Sequence, residues 1–138
     1  MIFVDTGAWF ALAVRNDPDH PAALTWLRAN REALVTSDYV LAETATLLRM
    51  RDKTARGHRL AVSVATSLYR QESAFLEKIT NSDIAAALNI FRKFSDHSFS
   101  FVDCTSFTLT ERLGISQAFA FDRHFEHYPG LRRVPQLL

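Results

Sequence analysis

The 138 residues contain one cysteine, Cys104, so no disulfide can close within the chain, and the sequence fits a reducing compartment. Lysine is almost as scarce, with three residues against thirteen arginines. No uninterrupted apolar stretch is long enough to span a bilayer. The apolar start Ile2-Phe3-Val4 has no basic segment before it and is broken by Asp5, which argues against a signal peptide. A formal net charge of +1 provides no bulk field to announce a nucleic-acid partner. No G-x-x-x-x-G-K run is present, which excludes a P-loop NTPase. Repeats, linkers and low-complexity segments are also missing. These absences predict one soluble, cytoplasmic domain over residues 1–138 with no membrane partner.

Apolar residues make up 48% of the chain, with eleven Phe, and this implies a globular core. The pattern predicts a strand at 2–5, helices over 6–14 and about 20–29, and a strand at 34–36. Ser37 or Asp38 should cap a helix through Met50, and Gly57 should separate it from another helix over about 59–71. A strand follows at 75–79. Thr80-Asn81-Ser82-Asp83 has capping-box spacing and opens a helix to about Phe94. Phe99–Val102 reads as a strand, 105–113 as a helix closed by Gly114, and 118–121 as a strand. The tail from Pro129 to Leu138 reads as a turn and a possible edge strand. Alternating strands and helices predict a doubly wound α/β domain with a mainly parallel sheet. The two consecutive helices between Asp38 and Gln71 exceed a simple crossover and predict a projecting hairpin, suited to binding or dimerisation.

Three apolar runs end in aspartate: Ile2-Phe3-Val4-Asp5, Ser100-Phe101-Val102-Asp103 and Phe119-Ala120-Phe121-Asp122. A fourth acid, Glu43, lies in the helical stretch Val40-Leu41-Ala42-Glu43-Thr44. Strand C-termini of a parallel sheet emerge along one edge, where ligands bind. Singly, Asp5 and Asp103 read as helix caps, Glu43 as a solvated helix position and Asp122 as a turn residue. Together they read as a cluster. Carboxylates brought so close repel unless a cation lies between them, and an all-oxygen set suits Mg²⁺ or Mn²⁺ better than zinc. Such an ion could orient and polarise a phosphodiester, with a second ion stabilising the leaving oxygen.

The set Ile-Phe-Val-Asp5-Thr6, Ala42-Glu43, Ser-Phe-Val-Asp103 and Phe-Asp122-Arg-His-Phe resembles a PIN domain, in particular the VapC-type ribonuclease toxins of bacterial toxin–antitoxin pairs. Leu113-Gly114-Ile115 and the tail Pro129-Gly130 with Val134-Pro135 extend the likeness along nearly the whole chain. The resemblance implies a PIN-like α/β/α sandwich, metal-dependent cleavage of RNA, homodimerisation and neutralisation by a small antitoxin. It places Asp5, Glu43, Asp103 and Asp122 on the acidic metal-binding and catalytic positions. Thr6 matches the hydroxyl that follows the first acid and could hold a ligand or water. Asp96 is a candidate fifth acid that reads equally as part of a turn.

His124, two residues after Asp122, reads as a surface histidine. Residues 49–59 hold Arg49, Arg51, Lys53, Arg56 and Arg59, readable as a solvated loop, an RNA contact or an antitoxin seat. Trp9, Phe10 and Trp26 read as core or dimer contacts, and Cys104 as an inert buried thiol. A haloacid-dehalogenase-type phosphatase would need a second Asp two residues after the first, where Gly7 stands. A receiver-type domain would need paired N-terminal acids and a late strand-end Lys. The remaining rival is a catalytically silent PIN-like module that binds RNA or protein.

Overall fold

The computed structural model describes residues 1–136. Five short strands, β1 (Ile2–Val4), β2 (Leu34–Ser37), β3 (Phe75–Glu77), β4 (Gln117–Phe119) and β5 (Arg132–Val134), form a sheet of order β3-β2-β1-β4-β5. Every pairing is parallel, with Phe3 opposite Val35 on one side and Ala118 on the other. β1 and β2 are buried along their whole length, and β1 accordingly reads as a continuous apolar run.

The helices are α1 (Thr6–Ala13), α2 (His20–Ala29), α3 (Asp38–Arg51), α4 (Ala55–Tyr69), α5 (Asn81–Lys93) and α6 (Phe101–Leu113). The chain steps outward from β1 to β3, then crosses back over β2 and β1 to β4. Right-handed crossovers therefore put α1–α4 on one face and α5–α6 on the other. The contacts agree: α1 meets α2 and α3, α3 meets α4, and α5 meets α6. The result is an α/β/α sandwich. The strand order reverses between β1 and β4, so the crevice at their carboxyl ends is the natural ligand site.

Phe3, Phe107, Phe119 and Phe125 are fully buried at the centre of the core. Phe107 stacks on Tyr128 with ring centroids 4.2 Å apart, and Trp26 packs at 4.1 Å on Phe119. Trp9 is buried as well, and its indole N–H donates to Thr36 Oγ1 at 3.2 Å. A separate small cluster, Val14, Leu48 and Ala61, joins the end of α1 to the α3–α4 hairpin. Cys104 is a free, fully buried thiol whose burial pushes its pKa up to about 11, as an inert core residue requires.

Three expectations need correction. Residues 99–102 form no strand: α6 begins at Phe101, because Ser100 and Asp103 close a capping box. Gly57 does not separate the helices but lies inside α4, which starts at Ala55. A Cβ at Gly57 would stand 1.8 Å from the Asp52 carbonyl oxygen, so the glycine is there for the close approach of α4 to the end of α3. The strand placed at 118–121 runs from Gln117 to Phe119. In the tail, the expected edge strand is β5, and residues 137–138 lie outside the described residues.

Candidate active site

Asp5 leaves the end of β1 at the N-cap of α1, yet its side chain makes no capping hydrogen bond. It is 4% exposed, and its Oδ1 has no hydrogen-bond partner among the described residues. Burial pushes its pKa up to about 8, with Asp103 adding to the rise, the Thr6 amide working against it, and Glu43 and Asp122 adding further. Asp5 therefore feels all three other acids. The structure brings Asp103 and Asp122 together with His124, and Asp5 lies near enough to feel the charge of Asp103, Glu43 and Asp122.

Asp103 reaches the crevice from the first turn of α6 rather than from a strand. Its Oδ2 accepts from the Ser100 amide at 2.9 Å and from His124 Nδ1–H at 2.9 Å. Burial raises its pKa, the Ser100 amide and His124 pull it down, and Asp122 pushes it up; the net shift is upward. Glu43 stands on the second turn of α3, half-buried, and α3 packs against α6. Asp122 is more exposed and caps the 3₁₀ turn Arg123–Glu126 by accepting the His124 amide at 2.9 Å.

His124 is a functional candidate that the sequence reading assigned to the surface. Its ring is three-quarters buried, with Nδ1 2.9 Å from Asp103 and 3.3 Å from Asp122 Oδ1. Nε2 lies 3.1 Å from Ser98 Oγ. With Nδ1 against both Asp103 and Asp122 and Nε2 against the Ser98 hydroxyl, the imidazole ties the two acids to the loop before α6. Donor atoms of Asp103, Asp122 and His124 all fall within 4.8 Å of one another. The sequence signal for this was the spacing Asp122-Arg123-His124, which a solvated turn shows equally well. Asp96 joins nothing here: its carboxylate is 82% exposed and pairs with its neighbour His97.

The donor set fits a hard cation. Thr6 Oγ1 is buried without a hydrogen-bond partner beside Asp5, and buried polar groups are otherwise almost always satisfied. Thr44 and Ser106 hydroxyls are also unpartnered, one residue after Glu43 and one helical turn after Asp103. A buried carboxylate with a bare oxygen, crowded by the charges of three more acids, is costly without positive charge nearby. Oxygen donors in this number suit Mg²⁺ or Mn²⁺.

The PIN domain model matches residues 2–131. The chain belongs to the PIN domain family. Among curated proteins it is 36% identical to the 23S rRNA-specific endonuclease VapC20 of Mycobacterium tuberculosis, over 91% of this chain and 92% of that one. It is 25% identical to the ribonuclease VapC26 of the same organism, over 96% and 93%. The crystal structure of VapC20, described as a sarcin–ricin loop cleaving toxin, superposes with a TM-score of 0.84 at 34% identity, covering 91% of this chain and 93% of that chain. A Pyrobaculum aerophilum protein shares the fold alone, at TM-score 0.68 and 16% identity, covering 96% and 88%. The kinship places this PIN domain in the VapC group.

Proposed function

We propose that this PIN domain is a metal-dependent endoribonuclease and the toxin of a toxin–antitoxin pair. Its VapC relatives are named as RNA-cleaving enzymes, and they align over more than nine-tenths of the chain. The observation that carries the reading is Asp5, a buried carboxylate with a bare oxygen amid three other acids. Asp5, Glu43, Asp103 and Asp122 would hold Mg²⁺ or Mn²⁺, and the Thr6 hydroxyl would orient a ligand or water beside Asp5. When bound, the cation supplies Lewis-acid polarisation of a phosphodiester and a water of lowered pKa. The protein's own part is positional. Asp5 and Asp103 sit on the rigid ends of β1 and α6, His124 holds Asp103 and Asp122 in register, and α3 brings in Glu43. The buried floor of the crevice limits water, which strengthens every charge interaction there.

The partners follow from the same chemistry. An antitoxin neutralises the site most directly by placing an arginine among the carboxylates. Homodimerisation through the α3–α4 hairpin is supported by Leu47, Met50 and Val62, large apolar side chains exposed there. The site of action is the cytoplasm, where RNA and antitoxin are found. A silent RNA- or protein-binding module has no use for a carboxylate as costly as Asp5. The test is incubation of antitoxin-free protein with RNA and Mn²⁺, with and without EDTA. Cleavage is expected only with Mn²⁺, and Asp5→Asn should abolish both cleavage and growth arrest at equal expression. Cleavage that persists in EDTA or in Asp5→Asn overturns the assignment.

A further inference from the structure

Where α1 ends against the corner between α3 and α4, the surface opens into a cleft of about 660 Å³. Arg15, Arg51, Arg56 and Arg59 line it, against one acid, Asp52. All four guanidinium groups are on exposed residues, and among the described residues none forms an ion pair. Asp52 makes its hydrogen bonds elsewhere, its Oδ1 accepting the Thr54 hydroxyl at 2.6 Å and the Thr54 amide at 3.0 Å, while the charges of Arg56 and Arg51 also act on it. Arg51 is held in place, donating from Nη2 to Asn16 Oδ1 at 2.8 Å and lying 5.9 Å over the Phe10 ring. Gly57 presses α4 against the Asp52 backbone, so the corner is tightly packed.

We propose that this cleft binds phosphate groups of the RNA strand that flank the one at the acids, an inference that rests on the nuclease reading above. A crevice of four carboxylates repels a polyanion, and a net charge of +1 offers no general attraction to offset it. Affinity for RNA must therefore come from locally gathered cations, and this cleft holds four of the thirteen arginines. Guanidinium forks match phosphate oxygens two at a time. The geometry connects the two places. The eight residues of α1 separate Asp5 from the cleft, and Glu43 precedes Arg51 on α3 by eight residues. At 1.5 Å per residue each path is about 12 Å, a span that a few nucleotides of single strand cover. An acidic peptide would meet the same arginines, but its continuation toward the carboxylates would be repelled, whereas RNA is expected there with its cation.

The test is binding of a labelled single-stranded RNA dodecamer in EDTA, titrated from 50 to 200 mM salt. The proteins are wild type, Arg56→Gln with Arg59→Gln, Arg15→Gln, and Arg56→Lys with Arg59→Lys. Each lost phosphate contact should flatten the slope of log affinity against log salt by about 0.7 and lower affinity about fivefold at 0.1 M salt. The double Gln variant should thus lose about 25-fold, Arg15→Gln about fivefold, and the Lys variant should keep the salt slope. Arg15 lies outside the α3–α4 corner, so it reports even if the corner variants unfold. Unchanged slope and affinity in the Gln variants overturn the proposal, as does a wild type that fails to bind the RNA. Loss of binding to a poly-glutamate peptide with RNA binding intact would make the cleft a peptide seat and overturn it too. Mn²⁺-dependent cleavage measured on the same wild-type protein separates the readings: binding without cleavage sinks the nuclease assignment and leaves the cleft, and cleavage with unaltered variants does the opposite.

Discussion

Asp5 illustrates how a single residue can cost stability in the service of a site. Its pKa of about 8 in the metal-free fold lies above the ordinary value of 3.8, so the folded state holds its proton more tightly than the unfolded chain. Stability from this group is therefore greatest below pH about 4, declines as the pH rises toward 8, and is level beyond that, at a slope of up to about 1.4 kcal/mol per unit. Asp5→Asn lacks the ionisation. Urea melts in EDTA at pH 5 and pH 8 should show the variant gaining on wild type as pH rises, and a constant difference would remove Asp5 from a buried, charge-crowded setting. At Asp103 the helix cap does not preclude a second contact, since one oxygen serves the Ser100 amide and His124 together. Mn²⁺ at a hundredfold excess over its dissociation constant should stabilise wild type by about 2.7 kcal/mol, read as a rise in Tm. Asp103→Asn should lose most of that rise; an equal rise in both proteins would exclude Asp103 as a ligand. Asp5 and Asp122 were legible as candidates because each ends an apolar run, although singly a cap or turn reading suits them equally. His124 was not, because only the docking of the 3₁₀ turn against α6 separates it from an exposed turn residue.

Helices α5 and α6 share one device, a capping box, used twice. Thr80-Asn81-Ser82-Asp83 was readable because polar residues precede the apolar stripe. Ser100-Phe101-Val102-Asp103 has the same spacing, but its β-prone Phe and Val mimic a strand, and only the two reciprocal hydrogen bonds decide for helix. The two helices are also joined by Arg112, which donates from Nε and Nη2 to the Asp83 carboxylate, both at 3.0 Å. Burial raises the Asp83 pKa, but Arg112 and the Thr80 amide and hydroxyl outweigh it, and the net shift is downward. A depressed carboxyl stabilises the fold above its unfolded value of 3.8, and the contribution is lost as pH falls through the folded one. Arg112→Ala should cost about 1–3 kcal/mol at pH 7, and the gap to wild type should narrow in acid. Chemical denaturation at pH 7 and pH 3 measures both; a gap that widens in acid would contradict the pairing.

At the scale of the molecule, strand alternation gave away the parallel sheet, while the strand order and the α3–α4 corner depend on contacts far apart in sequence. Leu47, Met50 and Val62 leave exposed apolar side chains on the hairpin, as Leu88 and Phe91 do on α5. Light scattering should find a dimer for wild type and a monomer for Met50→Glu with Val62→Glu; a dimer that survives both charges lies elsewhere on the molecule. The reversal of strand order between β1 and β4 also sets when the protein becomes dangerous. Asp5 and Glu43 belong to the first third of the chain, whereas Asp103, Asp122 and His124 arrive only with its last third. Until α6 and β4 have emerged and β4 has docked beside β1, the early acids face no partners. A nascent chain on the ribosome is thus a toxin with half a trigger, and the cell has the full time of synthesis and final docking in which to present an antitoxin.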